Sequence, residues 1–393
     1  MDKCIGCYDK ACSSNGIEKS DQSACRLIDV GRKCVVAALA GCQYLAFSYV
    51  WGDVRQPLLL RANCATLRME GALDAIRPQP PRTIIDAMTL CKLLGEKYLW
   101  VDSLCLAQDE LEESPDQIAN MGLVYEKANA TIVNASGVNS DAGLPGVGFP
   151  RAAVRECLGI QGANYATAFT RRTIAAESSK WNTRAWTLQE QYLSTRMLMF
   201  TDEQVFFAYR EYVWFEDVVL ETGVGGIGRS SREEKFKLEN FDWGTRWLYM
   251  KPLGQSVEDS ASDFYAIWLS YVGRIISYGR GMLRPFSGIM ALYEPYLVPF
   301  HWGHPEKDFS SYFNWGMENC KSRRVKDFPS WSWAGWQHNI EGEVSRGRRG
   351  SRRGKDCLLD FYLISEKEMV FTPVVEAQKK SRASSTSKPL RKT

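Results

Sequence analysis

The stretch Tyr44-Leu-Ala-Phe-Ser-Tyr-Val-Trp-Gly-Asp53 decides the architecture. It has the pattern of a strand that runs into a tight turn and leaves a carboxylate at its exit. Two later blocks share that character. They are Tyr98-Leu-Trp-Val-Asp-Ser-Leu-Cys105 and Trp181-Asn-Thr-Arg-Ala-Trp-Thr-Leu-Gln-Glu190. Each joins aromatic or aliphatic bulk to one acidic residue at the edge of an element. In open α/β sheets, ligands collect outside the carboxyl ends of the strands. Asp53, Asp102 and Glu190 gathered at such an edge would make a site.

The flanking sequence supplies the rest of the sheet. Arg26-Leu-Ile-Asp-Val30 and Lys33-Cys-Val-Val-Ala37 read as two strands around a Gly31-Arg32 turn, and Leu58–Arg61 as a further short strand. A helix is expected after Pro81. Thr83 would cap it with Asp86 three residues on, and Ile84, Ala87, Met88, Cys91 and Leu94 fall on one face before Gly95 stops it. Tyr98–Val101 is the next strand. A second helix is expected from Ser114-Pro-Asp-Gln117, with Ile118, Met121, Tyr125 and Ala128 apolar on one side. Thr131–Asn134 is a strand, about Arg184–Leu193 a third helix, and Met197–Thr201 with Gln204–Tyr209 a hairpin. Alternating strand and helix argue for a three-layer, partly parallel α/β sheet flanked by helices.

Beyond the hairpin the pattern changes. Gly223 to Lys237 is polar and Gly-rich, and the chain from there to Phe300 is helical and aromatic. Phe328-Pro-Ser-Trp-Ser-Trp-Ala-Gly-Trp336 reads as a compact aromatic strand. Leu358–Leu363 and Met369–Val375 could add two more. Ser345 to Lys355 is rich in Arg, Gly and Ser. Four segments follow: a Cys-containing N-terminal arm (1–25), an α/β domain (26–210), an aromatic-rich α+β region (211–340) and a basic, largely disordered tail (341–393).

Bulk properties exclude several classes. The 393 residues carry a net charge of only +3, which gives no general affinity for nucleic acid or membranes. Met1 to Gly16 lacks the apolar stretch expected of a secretory leader, and no run reaches the roughly 18 apolar residues of a membrane span. A cytoplasmic chain is expected, with the basic tail leaving a nuclear address open. Six of the twelve cysteines precede Tyr44. In a reducing compartment these are thiols. Cys4-x-x-Cys7 lacks a second pair and a nearby His, so no metal site is expected. Gly223-Val-Gly-Gly-Ile-Gly228 fits G-x-G-x-x-G by letter, but the polar Arg229-Ser-Ser-Arg-Glu-Glu that follows cannot pack on a sheet. With three histidines, His301, His304 and His338, a Ser-His-Asp centre has little support.

Taken jointly, the blocks resemble the fungal heterokaryon-incompatibility (HET) domain. Ala46–Asp53, Pro81–Asp86, Tyr98–Cys105 with Gln108-Asp109, Gln117–Met121, Ala128–Val133, Gly143-Leu-Pro-Gly146 and Arg184–Glu190 stand in that family's order over about Arg26 to Phe207. Pro329–Trp336 is similar to a C-terminal motif that often accompanies the domain. Ala107 departs from the family, which has Asn or Asp there. The resemblance implies nonself recognition between fused fungal cells, ending in cell death.

Phe47-Ser-Tyr49 with Gly52-Asp53, and Trp186-Thr-Leu-Gln-Glu190, are also similar to the Toll/interleukin-receptor (TIR) domain. That likeness implies self-association and cleavage of the nicotinamide glycosidic bond of NAD, with NAD as substrate and no resident cofactor. Glu190 is then the catalytic carboxylate, and Asp53, Asp102, Trp51, Trp186 and Arg184 surround the ligand. Bland alternatives stay open. Glu190 could bond to strand backbone, Arg184 or Arg196. Asp53 and Asp102 could form turns or caps, and Trp51 and Trp100 could pack in the core. An incompatibility partner protein recognised without catalysis is the other expectation.

Overall fold

The computed structural model describes residues 25–110, 121–151, 157–160, 163–166, 174–209, 212–216, 257–272, 274–276, 281–297, 299–306, 321–339, 362–364 and 371–373. The N-terminal arm, the Ser114–Gln117 helix start, the Gly223–Lys237 segment and the Arg-rich stretch from Ser345 lie outside these residues.

An eight-stranded mixed sheet organises the α/β domain. Its strands are β1 (Arg26–Asp29), β2 (Cys34–Ala37), β3 (Leu45–Ser48), β4 (Tyr98–Val101), β5 (Ala130–Asn134), β8 (Arg196–Phe200), β9 (Val205–Tyr209) and β10 (Tyr212–Phe215). Between β5 and β8, β6 (Cys157–Ile160) and β7 (Ala163–Ala166) form a separate hairpin. The order across the sheet is β10-β9-β8-β5-β3-β4-β1-β2. The middle four strands, β4, β3, β5 and β8, are parallel, and the outer ones are antiparallel. After β3 the chain moves to β4 on one side, then back past β3 to β5. The strand order therefore reverses between β3 and β5, the kind of position beside which open α/β sheets bind ligands.

Every residue of β3 and β5 is buried, so layers cover both faces of the sheet. The register Ala46↔Trp100, Ala46↔Thr131 and Ser48↔Val133 puts these residues on one face. Helices α3 (Met121–Lys127) and α4 (Ala185–Leu193) cover it. Trp100 meets Tyr125 of α3 edge-on, with centroids 5.4 Å apart, and Thr131 Oγ1 lies 2.6 Å from Ser194 Oγ beyond α4. An edge-on pair of this kind adds about 1 kcal/mol beyond area burial. Helix α1 (Arg82–Leu93) packs near β4, where the Cys91 thiol donates to Tyr98 O.

α1 starts two residues earlier than the Thr83 cap would allow, and its N-cap is Pro81. Thr83 and Asp86 do not cap it. They accept N–H bonds from Gly143 (2.8 Å) and Leu144 (2.8 Å), tying down the turn after β5. Leu58–Leu60 does not form a strand. It leads into a 3-10 turn at Arg61–Asn63, because Asn63 Oδ1 takes the Leu60 N–H and Asp109 takes that of Arg61. In the aromatic block, Trp333–Gly335 is a 3-10 turn started by Ser332, and only Trp336–Asn339 is a strand. Tyr362–Ile364 does pair with Phe371–Pro373.

The C-terminal region contributes α5 (Val257–Val272) and α6 (Ser287–Leu297). Phe264, Trp268, Tyr271, Phe286, Tyr293 and Trp333 form its core, and Ala185 and Leu188 of α4 belong to the same cluster. α4 thus lies between the sheet and the C-terminal helices. No described helix is long and apolar enough to cross a membrane.

Candidate functional site

The site begins with a polar residue on a buried strand. Ser48 is the last residue of β3, and its side chain is cut off from water. A hydroxyl there must find partners. It finds two. The Trp181 indole N–H donates to Ser48 Oγ at 2.6 Å, and the Ser48 hydroxyl donates to Glu190 Oε2. Because the indole can only donate, it fixes which way the serine proton points.

Glu190 is 7% exposed, on the sheet side of α4. Burial pushes its carboxyl up to about 7, opposed by the Ser48 hydrogen bond. The nearby Asp102 charge raises it further, while Arg184 and Tyr125 lower it. Its neighbours Gln189 and Gln191 are buried as well. Gln189 Oε1 accepts the Gly288 N–H of α6 at 2.8 Å.

Asp102 begins the short helix α2 (Asp102–Cys105) directly at the carboxyl end of β4. Burial raises it to about 6, held back by Arg184, the Ser103 N–H and the Trp51 indole. The Trp51 Nε1–H donates to Asp102 Oδ2 at 2.8 Å, and the Ser103 N–H donates to Oδ1 at 2.7 Å. Arg184 is the N-cap of α4, and its Nη1 donates to the Tyr49 carbonyl at 2.8 Å. One half-buried guanidinium therefore serves two coupled carboxylates. Tyr49 completes the floor. Its hydroxyl lies 3.0 Å from Gln56 Oε1 and 3.1 Å from Ser103 Oγ. The Gln56 Nε2 is buried with no protein partner among the described residues.

Not all of the expected residues meet here. Glu190, Asp102, Arg184 and Trp51 form one electrostatic and hydrogen-bonded group. Asp53 is exposed in the turn after β3, and no described residue bonds to it. Gly52 before it has φ +62 and is pressed against Asn139. Trp186 is half-buried against the main core rather than bonded to either carboxylate. Ser48, Trp181, Tyr49, Gln56 and Tyr125 were not named as site residues from sequence; Tyr125 stood only on the apolar face of its helix, and Ser48, Tyr49 and Trp181 only within the quoted blocks. For Ser48 a signal existed, since a hydroxyl on a strand buried on both faces demands a partner.

Residues 44–190 match the family model for Heterokaryon incompatibility protein (HET), a span that opens at the entry to β3 and closes on Glu190. Over this segment, which is less than half of the chain, the sequence is similar to the HET family. The HET segment thus contains Ser48, Asp102, Trp181, Arg184 and Glu190. β8 to β10 and the C-terminal helices lie beyond it. Comparison with curated proteins and with solved structures gives no match.

In chemical terms the arrangement offers one carboxylate raised by burial, a second raised carboxylate beside it, and the Arg184 guanidinium acting on both. Paired groups whose surroundings move them toward neutrality are suited to proton transfer or to stabilising positive charge.

Proposed function

We propose that this chain is a HET-family fungal nonself-recognition effector that triggers cell death, and that its Glu190 site cleaves the N-glycosidic bond of NAD or a related nucleotide. The observation that carries the reading is a buried glutamate, pushed up to about 7, placed beside Asp102 and Arg184 where the strand order of the sheet reverses. Cleavage of such a bond develops positive charge on the ribose. A carboxylate in a desolvated site stabilises that charge strongly. Asp102, with Trp51 bonded to it, would orient the ribose hydroxyls. The resemblance of Trp186-Thr-Leu-Gln-Glu190 to the TIR segment supports the assignment of Glu190 as the catalytic group and points to self-association as the active form.

The test is incubation of the purified chain, at high protein concentration, with NAD and chromatography of released nicotinamide. Wild type is expected to release it and Glu190→Gln to lose most of that activity. Equal release by both would remove the enzymatic reading.

A second reading has its own support. Glu190 is nine-tenths buried and its Oε2 is occupied by Ser48. That is how a structural carboxylate would be held. In this reading the domain signals through a partner protein, and a folded Glu190→Gln chain remains toxic when expressed in cells.

A further inference from the structure

The HET-matched segment ends at Glu190, yet the backbone that carries Arg184 is held from outside it. Ile275 lies alongside that backbone as a bridge. Its N–H donates to the Thr183 carbonyl at 2.7 Å, and its carbonyl accepts the Ala185 N–H at 3.0 Å, one of the otherwise unpaired donors of the first turn of α4. Next to it, Arg274 Nη1 donates to the Arg184 carbonyl (3.1 Å) and to Thr187 Oγ1 (3.0 Å). Its Nη2 donates to Asn182 Oδ1 at 2.7 Å, and its Nε to the Ser270 carbonyl of α5 at 3.3 Å.

This placement is unfavourable for a cation taken alone. Desolvation lowers Arg274 to about 9, and it stands at the N-terminal end of α4, where the helix dipole disfavours positive charge. Its acceptors offset that cost, and three of them lie on Asn182, Arg184 and Thr187, where the loop enters α4. The loop's own central side chain, Arg184, reaches in the other direction, to the Tyr49 carbonyl.

We propose that Arg274 and Ile275 form a strap by which the C-terminal region positions Arg184, and with it the single cation shared by Asp102 and Glu190. Arg274 is a positioning residue. It acts through the Arg184 backbone and touches no reacting atom. The HET segment by itself is an incomplete site, finished by residues of the C-terminal region. The inference rests on the proposed site but not on the proposed reaction.

The charged and titratable groups around the pair are few. Glu190 is faced by Ser48, Asp102, Arg184 and Tyr125, and Asp102 by Arg184, Tyr49 and Trp51. Arg274 itself is influenced by Glu190 and Tyr271. Two indoles report on the carboxylates, because Trp51 bonds Asp102 directly and Trp181 reaches Glu190 through Ser48.

The experiment labels the full chain with 15N-tryptophan and follows the two indole N–H resonances through an acid-to-neutral titration. Arg184→Gln should raise both midpoints by roughly 1 pH unit, the effect of losing a nearby opposite charge. Arg274→Gln should raise the Asp102 midpoint, read at Trp51, in the same direction; Glu190 also feels the Arg274 charge directly, so the Trp51 signal is the deciding one. At Trp51 the double variant should go no further than Arg184→Gln alone, because one residue acts through the other. If Arg274→Gln does not fold, Asn182→Ala with Thr187→Val removes two of its acceptors, and the same upward shift is expected. An unmoved Trp51 midpoint in whichever of these folds, or additive Trp51 shifts in the double variant, would overturn the strap. A chain that releases no nicotinamide yet shows the shifts would sink the enzymatic reading and leave this one standing.

Discussion

Ser48 donates its hydroxyl proton to Glu190, a residue 142 positions away, and can do so in only one orientation because the Trp181 indole occupies its oxygen from the other side. The relay favours the ionised carboxylate, which accepts, over the protonated acid, which would compete for the same oxygen. Ser48→Ala leaves both Glu190 and the Trp181 N–H without that partner. The variant should lose about 1–3 kcal/mol of stability, the cost of stranding buried polar groups. Its Glu190 should titrate higher than in wild type. Urea denaturation and the indole titration check the two effects separately.

The contribution of the two buried carboxylates to stability should fall as pH rises through the acid-to-neutral range, while buried His304, lowered to about 4, acts in the opposite sense. Both buried carboxylates are raised, Glu190 from 4.5 to about 7 and Asp102 from 3.8 to about 6. Between those limits the folded chain binds more protons than the unfolded one. The contribution of each group is therefore fully present below its unfolded value and lost as pH passes its folded value. Glu190→Gln keeps the shape and removes the burial penalty of the charge. Relative to wild type it should gain on the order of 3 kcal/mol in moving from acid to mildly alkaline buffer. Thermal denaturation across that range checks the sign. A Glu190→Gln chain that gains nothing over wild type through the same window would contradict the burial of Glu190 as a charged group.

Much of the sheet was legible in the chain because its signals are local. Tyr44–Val50, Tyr98–Val101 and Thr131–Asn134 each carry apolar bulk between breakers, and each overlaps an observed strand. The errors arose where a side chain served a distant partner. Thr83 and Asp86 have the spacing of a helix cap, but they spend their oxygens on the Gly143–Leu144 turn, about sixty positions away. Asn63 and Asp109 took the backbone donors that a strand at Leu58–Arg61 would have needed. The site behaved likewise. Glu190 and Asp102 stood out by their place on an apolar face or strand end, whereas Trp181 and Arg274 are defined only by what folding brings to them.

Gly52 should not tolerate a side chain. At φ +62 an L residue is strained, and a Cβ would lie 2.4 Å from that of Asn139. Nor is the neighbour free to yield. The Asn139 backbone adjoins Ser140, whose N–H donates to the Trp51 carbonyl at 3.0 Å. Gly52→Ala is expected to cost about 1–3 kcal/mol. It should also move the Trp51 indole resonance, since the turn that seats Trp51 must shift. Gly71, with φ +74 and nothing within 4 Å of its missing Cβ, is the control. Gly71→Ala should pay only the backbone strain, and so lose less in the same denaturation experiment.

The two indoles that hold the carboxylates should differ in what they are worth. Trp181 is fully buried in the cluster with Met197, Met199 and Phe206, while Trp51 keeps part of its surface in water. Replacing either by Phe removes one N–H donor. At Trp51 water can reach the vacated side, so the loss should be about 1 kcal/mol, accompanied by a higher Asp102 midpoint. At Trp181 a smaller ring leaves a void as well as a lost donor, and about 2–3 kcal/mol is expected. The Ser48 hydroxyl, no longer held from behind, can turn away from Glu190, whose midpoint should rise. Denaturation midpoints for the two variants check the ranking. An equal or reversed order would mean that the Trp181–Ser48–Glu190 relay is not the stiff element of the site.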